Sequence, residues 1–217
     1  MRKLKMREHG QKGMLVTFCG LDGCGKSTMI ELLKEKLKLE GESISLTKQP
    51  TSAVRRSKIF RNYMDSEDHR AYEYRALSLM AASDRIQHSN KEIIPKLSEG
   101  KIVISDRYIY SCLANLRARG YEKDKWIYEI SENIPKPDIA FFLDLPVELA
   151  VRRVRSREDE KNRYIDMELQ YRLRDEYKKI CRSNGGVLLC SDRDVNDTFN
   201  EVCEYIEKIK EKKGYGN

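Results

Sequence analysis

The chain has 217 residues, 40% of them hydrophobic, which is enough apolar side chain for one compact domain with its own core. Its 42 basic residues exceed its 35 acidic ones and give a formal net charge of +7, but the two signs are interspersed, so a small anion explains the surplus as well as a nucleic acid does. With no secretory signal and no apolar run of about 18 residues, the sequence predicts a cytoplasmic protein that binds neither membranes nor nucleic acids.

Five short apolar segments bounded by turn residues predict five β-strands. Between them apolar residues recur at helical spacing, as in Met29, Leu33 and Leu37. Because parallel strands need crossover connections, alternating strands and helices predict an α/β fold with a five-stranded parallel sheet flanked by helices. The predicted strands are Met14 to Cys19, Ser43 to Thr47, Ile102 to Ser105, Ile139 to Leu143 and Val187 to Leu189.

The sequence predicts a single domain over residues 13–213, with a short tail at 214–217. The basic opening segment 1–12 has little that could pack into a core, so we expect a flexible extension there. The six cysteines include no C-x-x-C pair and no histidine at zinc-finger spacing, which indicates reduced thiols rather than disulfides or a metal site.

A glycine-rich segment, GLDGCGKST, follows the first predicted strand and precedes an amphipathic helix from Ser27 to Leu39. It fits the pattern GxxxxGK[ST], in which glycines let backbone N–H groups turn toward a polyphosphate. Lys26 can reach the β and γ phosphates, and Ser27 can bind magnesium. The sequence therefore predicts a site for ATP and Mg²⁺ formed by Gly20, Asp22, Gly23, Cys24, Gly25, Lys26, Ser27 and Thr28.

The third predicted strand ends in Asp106-Arg107-Tyr108, at the sheet edge where the phosphates are expected. Asp106 can hold magnesium, and the planar fork of Arg107 can clamp the phosphate of an acceptor. A structural ion pair that caps the strand is the alternative interpretation.

An arginine-rich segment at about residues 152–164 follows the fourth strand. A solvated charged face is the ordinary interpretation of such a mixture of charges. In a phosphotransferase, however, a mobile lid with an arginine can neutralise charge in the transition state and exclude water. Arg153, Arg157 and Arg163 are the candidates for this catalytic role, beside Lys26 and Arg107.

Together these motifs resemble the thymidylate kinases. The resemblance runs from about Met14 to about Ile206, and it also includes Gln49-Pro50, SDR at 83–85 and PDIAFFLDLP at 137–146. It implies a P-loop kinase fold with a small lid, frequent homodimers, and transfer of the ATP γ-phosphoryl group to dTMP in the presence of Mg²⁺.

The resemblance also implies roles for single residues. Asp22 matches the family's contact to the acceptor sugar, Arg107 its contact to the acceptor phosphate, and Arg85 its arginine near the base. Cys24 stands where one branch of the family has an arginine, so the catalytic arginine is expected from the lid. The implied acceptor site consists of Asp22, Gln49, Pro50, Arg85, Arg107, Tyr108 and Asn115.

The acceptor side departs from the family pattern at three positions. Lys48-Gln49-Pro50 replaces the usual Arg-Glu-Pro, and Ala81 replaces a phenylalanine that stacks on thymine, a function that Tyr72 or Tyr74 could take over. Asn115 replaces an aromatic residue that crowds a ribose 2′-hydroxyl. Two alternatives therefore stand beside a dTMP kinase: a kinase for another nucleotide, nucleoside or small phosphorylated acceptor, and a catalytically silent nucleotide-binding protein.

Overall fold

The computed structural model describes residues 2–66 and 72–214, and its centre is one sheet of five parallel strands in the order β2-β3-β1-β4-β5. The predicted α/β fold and all five predicted strands are confirmed, each strand end within one residue of its expected place. The strands are β1 (Met14–Gly20), β2 (Ile44–Lys48), β3 (Ile102–Asp106), β4 (Ile139–Asp144) and β5 (Val187–Cys190).

Helices connect the strands and cover the sheet. The described α-helices are α1 (Lys26–Leu39), α2 (Ser52–Arg55), α3 (Lys58–Asp65), α4 (Tyr74–His88), α5 (Ile94–Ser98), α6 (Ile109–Ala118), α7 (Trp126–Ser131), α8 (Val147–Arg155), α9 (Met167–Asn184) and α10 (Val195–Lys213). A π-helical segment, Ser89–Ile93, joins α4 to α5, and a 3₁₀ turn, Glu158–Glu160, follows α8. No helix in the described ranges is both long and apolar enough to cross a membrane.

The central strand β1 fixes the position of the site. All of its residues are buried, because it pairs with β3 and β4 along its two edges and α1, α6 and α9 pack against it. Strands buried on both faces read as continuous apolar runs, which is why they are visible in the sequence. Asp106 lies opposite Phe18 of β1 and Lys48 of β2, so the carboxyl ends of these strands open at one edge of the sheet.

The opening segment differs from the flexible extension expected from the sequence. Leu4 is only 3% exposed and belongs to the hydrophobic core. Arg7 exchanges backbone hydrogen bonds with residues around Pro135, donating to the Ile134 carbonyl at 3.0 Å and accepting from the Lys136 N–H at 2.7 Å. Apolar residues that alternate with basic ones put one face of an extended segment against the domain.

Candidate active site

The loop between β1 and α1 approaches the rest of the domain so closely that two of its positions require glycine. Gly20 and Gly23 have φ angles of 140° and 82°, which side chains rarely adopt. A Cβ at Gly23 would lie 2.2 Å from the carbonyl oxygen of Ala150 in α8, and one at Gly20 would lie 2.6 Å from that of Leu143. The loop is thus a concave backbone cradle with no room for side chains at these two positions.

Lys26 and Ser27 begin α1 directly after the cradle. Lys26 is buried, and its Nζ donates to the carbonyl oxygens of Leu21 at 2.6 Å and Gly20 at 3.2 Å. Ser27 and Thr28 are exposed, and the first turn of any α-helix carries N–H groups without partners inside the helix. A loop of this kind at a helix N-terminus suits a polyphosphate, with Lys26 as the countercharge.

Cys24 fills the space between the loop and Lys26. It is fully buried, and its Sγ lies 3.5 Å from Lys26 Nζ. The side chain therefore has a packing contact inside the loop, and it carries no charge toward the phosphates.

Asp106 offers an oxygen that suits a metal ion. One carboxylate oxygen pairs with Lys48 Nζ at 2.8 Å, while Oδ1 is buried and has no hydrogen-bond partner among the described residues. A hard cation such as Mg²⁺ takes oxygen ligands and keeps several of them as water or phosphate. Asp106 and Ser27 both offer oxygen atoms of this kind. Over the described ranges no group of three or more His, Cys, Asp or Glu side chains could hold a metal ion.

Arg107 has a backbone conformation that is rare for its residue type. Its φ is 69°, in the left-handed region, and the conformation is held by its N–H, which donates to the Phe18 carbonyl at 2.9 Å. Ser105 Oγ donates to the Arg107 carbonyl at 2.8 Å. Such conformations persist where the surrounding structure enforces them, often at functional sites. Here the result is a guanidinium that points toward the phosphate loop.

The carboxylate of Asp22 joins the loop to two arginines. Arg107 donates to its Oδ1, and Arg163 Nη2 lies 3.3 Å from its Oδ2. The charge of Arg107 holds the pKa of Asp22 well below its ordinary value against the opposing effect of burial, and Lys26 and Arg163 add to this. Asp22 is therefore ionised over the whole physiological range.

Arg107 also contacts Tyr177 of α9. Its Nη1 donates to the phenol oxygen at 3.2 Å, and this hydroxyl donates to Ser111 Oγ at 3.1 Å. Burial raises the pKa of Tyr177 to about 12, so the phenol stays neutral. The guanidinium is thus held on both sides, by a carboxylate and by a hydroxyl.

The three arginines predicted from the lid segment occupy different places. Arg163 reaches Asp22 beside the phosphate loop and also pairs with Glu160 at 3.1 Å. Arg153 points to the carboxyl end of the outer strand β5, where its guanidinium lies 3.4 Å from the Ser191 carbonyl oxygen. Arg157 is exposed. Of the three, Arg163 is the one that the fold brings to the loop.

A cavity of about 710 Å³ adjoins this cluster. Six of the seven residues predicted for the acceptor line it: Asp22, Gln49, Pro50, Arg85, Arg107 and Asn115. Tyr108 is not on its wall. Tyr108 is fully buried, and its hydroxyl donates to the Pro135 carbonyl at 2.6 Å, because α6 begins one residue later and turns this side chain into the core.

Helix α4 forms one wall of the cavity. The residues that face it recur at three, four and seven positions apart, as one face of a helix requires. Ala81 is among them and is 8% exposed, so no aromatic ring stands at this position. The α4 residues on the wall are Tyr74, Leu77, Ser78, Ala81 and Arg85.

Aromatic residues from α3 and α4 line the cavity where Ala81 offers none. Tyr63 and Tyr74 have ring centroids 5.6 Å apart, and Phe60 is on the same wall. Arg119 lies 3.9 Å above the Tyr74 ring and donates to Tyr63 Oη at 2.9 Å. Tyr74 was one of two residues expected from the sequence to replace the ring. Phe60, Tyr63 and Arg119 were not expected, and their only signal was helical spacing on α3 and at the end of α6.

Arg119 also determines the environment of Asn115, one turn earlier on α6. Its Nη1 donates to Asn115 Oδ1 at 2.7 Å, and Asn115 Nδ2 donates to the Ser111 carbonyl at 2.9 Å. Both ends of the amide are therefore engaged within the protein. A guanidinium and an amide stand where the family pattern has a ring.

Three buried polar atoms of residues that line the cavity have no hydrogen-bond partner among the described residues: Oε1 of Gln49, Oγ of Ser78 and Nε of Arg85. Gln49 is fully buried, and Arg85 is 2% exposed. Buried polar groups are normally paired, so an unpaired acceptor and an unpaired donor on one wall indicate a polar ligand.

The fold and the site together define a class. A glycine-rich phosphate cradle ahead of the first helix of a parallel sheet, facing a second cavity rich in arginine, is typical of P-loop phosphotransferases that act on small acceptors. Within this class, the family model described as thymidylate kinase matches residues 18–202. The chain belongs to the thymidylate kinase family.

Curated proteins agree with this assignment. The chain is 35% identical over 202 residues to a probable thymidylate kinase of Thermococcus kodakarensis, covering 90% of this chain and 98% of that protein. It is 38% identical over 171 residues to a probable thymidylate kinase of Pyrococcus horikoshii, covering 78% and 83%. A thymidylate kinase of Caldanaerobacter subterraneus is 31% identical over 174 residues, with 79% and 83% covered.

Proposed function

We propose that this chain transfers the γ-phosphoryl group of ATP to dTMP, giving ADP and dTDP. The observation that carries the proposal is the contact between the two halves of the site. Asp22 of the phosphate loop is paired with Arg107 and Arg163, and all three line the cavity that would hold the acceptor. The family and the names of the relatives supply the identity of donor and acceptor.

On the donor side, the backbone of Gly20, Gly23 and Gly25 would cradle the phosphates of ATP, with Cys24 in the same loop and Thr28 in the first turn of α1. Lys26 would leave its carbonyl partners for the β and γ phosphates. In the transfer, an oxygen of the acceptor phosphate bonds to the γ-phosphorus while the bond to the β–γ bridging oxygen breaks. The protein contributes alignment and charge neutralisation rather than a nucleophile.

Magnesium would be held by Ser27 and Asp106 together with phosphate oxygens, and it would neutralise charge on the β and γ phosphates. The buried and unpaired Oδ1 of Asp106 supports this assignment.

On the acceptor side, Arg107 would clamp the phosphate of dTMP, since its guanidinium is already fixed beside the loop. Asp22 would orient Arg107 and accept a hydrogen bond from the sugar. Arg85, Gln49, Pro50 and Asn115 line the rest of the cavity and would surround the nucleoside. Tyr74, flanked by Tyr63 and backed by Arg119, would supply the ring that Ala81 cannot. Tyr108 would support this wall from the core.

Among the lid residues, Arg163 is the strongest candidate for stabilising the transferred phosphoryl group. Its pairing with Asp22 supports this role, whereas Arg153 and Arg157 would act at the donor's outer side or on closure. A guanidinium held beside the phosphate loop would place its positive charge next to the transferred phosphoryl group, where negative charge develops in the transition state.

Release of ADP from Mg-ATP in the presence of dTMP tests the proposal, with inorganic phosphate release in the absence of dTMP as the control. Turnover that depends on dTMP and is lost on removal of Mg²⁺ is the expected result. ATP binding without dTMP turnover would contradict it. Homodimer formation and a cytoplasmic location stay predictions, and sedimentation velocity checks the first.

A further inference from the structure

The end of α4 is tied to the segment after β2 by two side chains one helical turn apart. The Asp84 carboxylate accepts from the Thr51 backbone N–H at 2.7 Å and also from the Thr51 hydroxyl. The His88 ring lies between Thr47 and Gln49, with Nε2 at 2.8 Å from Thr47 Oγ1 and Nδ1 at 3.2 Å from Gln49 Nε2. Helix α4 therefore determines the position of Gln49.

The partner atoms define the protonation of the ring. The Gln49 NH₂ group can only donate, so the Nδ1 that it faces must be the unprotonated, accepting nitrogen of a neutral imidazole. The proton of His88 then lies on Nε2 and is donated to Thr47 Oγ1. A protonated ring would instead place two donors, Nδ1–H and the NH₂ group, against each other.

The oxygen at the opposite end of the amide is buried and unpaired among the described residues. Gln49 is fully buried, its backbone N–H donates to the Asp106 carbonyl at 3.0 Å, and its Oε1 has no partner among the described residues. One N–H of Gln49 Nε2 is engaged by His88, and Oε1 is the acceptor of this amide that a ligand in the cavity lined by Gln49 could pair with.

The surroundings of His88 favour the neutral ring. Burial lowers its pKa below the ordinary value, and the neighbouring charges act in both directions. The ring is faced by two uncharged side chains, Thr47 of β2 and Gln49 just after it. The charged groups that act on it are Asp84 and Glu92, which raise the pKa, and Lys96 and Arg85, which lower it.

We propose that His88 is a positioning residue that fixes the Gln49 amide with its oxygen toward the acceptor nucleotide. This deepens the proposed function and rests on it. The family pattern has glutamate at position 49, and a carboxylate would pair with a protonated ring. A glutamine with a neutral histidine gives instead an oriented, uncharged acceptor whose direction depends on the ring.

Nuclear magnetic resonance tests the tautomer without any substrate. The chain has only 3 histidines, so long-range ¹H–¹⁵N correlations of the ¹⁵N-labelled full chain are simple, and His88→Asn assigns the signals of His88 by their loss. The expected result near pH 7.5 is the neutral Nε2–H form. A neutral Nδ1–H form, or a protonated ring, would overturn the proposal.

Kinetics test the positioning role. His88→Ala should raise the KM for dTMP about three- to tenfold, because an oriented hydrogen bond is lost, while kcat changes less than about twofold. His88→Asn should restore KM, because its Oδ1 occupies the place of Nδ1 and accepts from the amide. Equal KM values for His88→Ala and the parent, or equal defects in both variants, would overturn the proposal.

A variant that keeps the histidine guards against misfolding. Thr47→Val removes the acceptor of Nε2–H at nearly constant shape, so it should move the tautomer away from Nε2–H and raise the KM for dTMP. An unchanged tautomer and KM would count against the proposal. Thermal melting of each variant separates these effects from lost stability.

The pH dependence gives a further readout. The KM for dTMP of the parent, divided by that of His88→Asn, should rise as pH falls through the His88 pKa, because a protonated ring no longer accepts from the Gln49 amide. Ionisation of the acceptor phosphate affects both proteins equally and cancels in this ratio. Gln49→Glu should raise the His88 pKa by about one unit. A flat ratio would contradict the inference, whereas a parent without dTMP turnover would contradict the proposed function and leave the tautomer result standing.

Discussion

The donor and acceptor sides of this site are built in different ways. The donor side is one stretch of backbone, from Gly20 to Ser27, in which glycine is required by contacts such as the one to Ala150. The acceptor side is a wall of side chains from α3, α4, α6 and the segment after β2. The difference teaches that a phosphate site can be conserved as a local motif, while an acceptor site can change one side chain at a time.

The largest effect is expected on the donor side. Lys26→Ala should lower kcat by about 10²- to 10³-fold, because the loop loses the ammonium group proposed to neutralise charge on the β and γ phosphates. The exposed Lys38 of the same helix is the matched control, and Lys38→Ala should be close to the parent. ADP release measures both, and retention of more than about a tenth of the rate in Lys26→Ala would argue against its phosphate role.

Substitutions of the lid arginines should lower kcat by different amounts in the same assay. Arg163→Ala is expected to lower kcat by about 10²-fold, since this guanidinium stands beside Asp22 where charge develops. Arg157→Ala, at an exposed position, should change kcat less than about threefold. The reverse order of the two variants would assign the catalytic role to the outer part of the lid.

Arg107 lies where the two sides meet. Arg107→Ala should raise the KM for dTMP by about 10- to 100-fold, and more than it raises the KM for ATP, because the clamp on the acceptor phosphate is lost. Arg107→Lys keeps the charge but not the planar fork and should fall between parent and alanine variant. An unaffected dTMP KM in both would point to another arginine of the cavity.

Substitutions in the aromatic wall test whether Tyr74 replaces the ring that is missing at Ala81. Tyr74→Ala should raise the KM for dTMP about five- to tenfold, while Tyr74→Phe, which keeps the ring, should stay within about twofold. Tyr72, which packs edge-on against Tyr63 but does not line the cavity, is the matched control. Equal effects of Tyr72→Ala and Tyr74→Ala would remove the stacking interpretation.

The smallest effect concerns stability. The folded pKa of Asp22 is depressed, so its pairing with Arg107 stabilises the fold above the unfolded pKa and is lost as pH falls below it. Asp22→Asn should therefore melt about 2–4 °C below the parent at pH 7, which corresponds to a loss of about 1 kcal/mol in the free energy of unfolding. The difference in melting temperature should close as pH falls below about 4. A gap that does not depend on pH would mean that packing, rather than charge, is lost.

Sequence alone predicted the fold correctly, and it also located the glycine-rich loop to which the donor role is assigned, because both leave local patterns. Buried parallel strands read as apolar runs, and the phosphate loop is contiguous. The wall of Tyr63, Tyr74 and Arg119 comes from three helices, and only their packing brings the rings and the guanidinium together.

Two differences have simple physical causes. Tyr108 follows Arg107 in the motif, but the start of α6 turns it into the core, and a motif carries no information on side-chain direction. Leu4 lies in a basic segment that is held by distant partners: its N–H donates to Asn184 Oδ1, and Arg7 pairs with residues beside Pro135, each more than a hundred positions away. Neither contact has a local signal in the sequence.

The most direct test of the central claim is kcat/KM for phosphoryl transfer from Mg-ATP across a panel of acceptors: dTMP, dUMP, UMP, dGMP and thymidine. We expect dTMP to exceed every other acceptor by at least about tenfold, with the discrimination lost in Tyr74→Ala. If the parent turned over UMP or dGMP as well as dTMP or better, the account would be contradicted, because the wall of Tyr63, Tyr74 and Arg119 would then select another base or sugar.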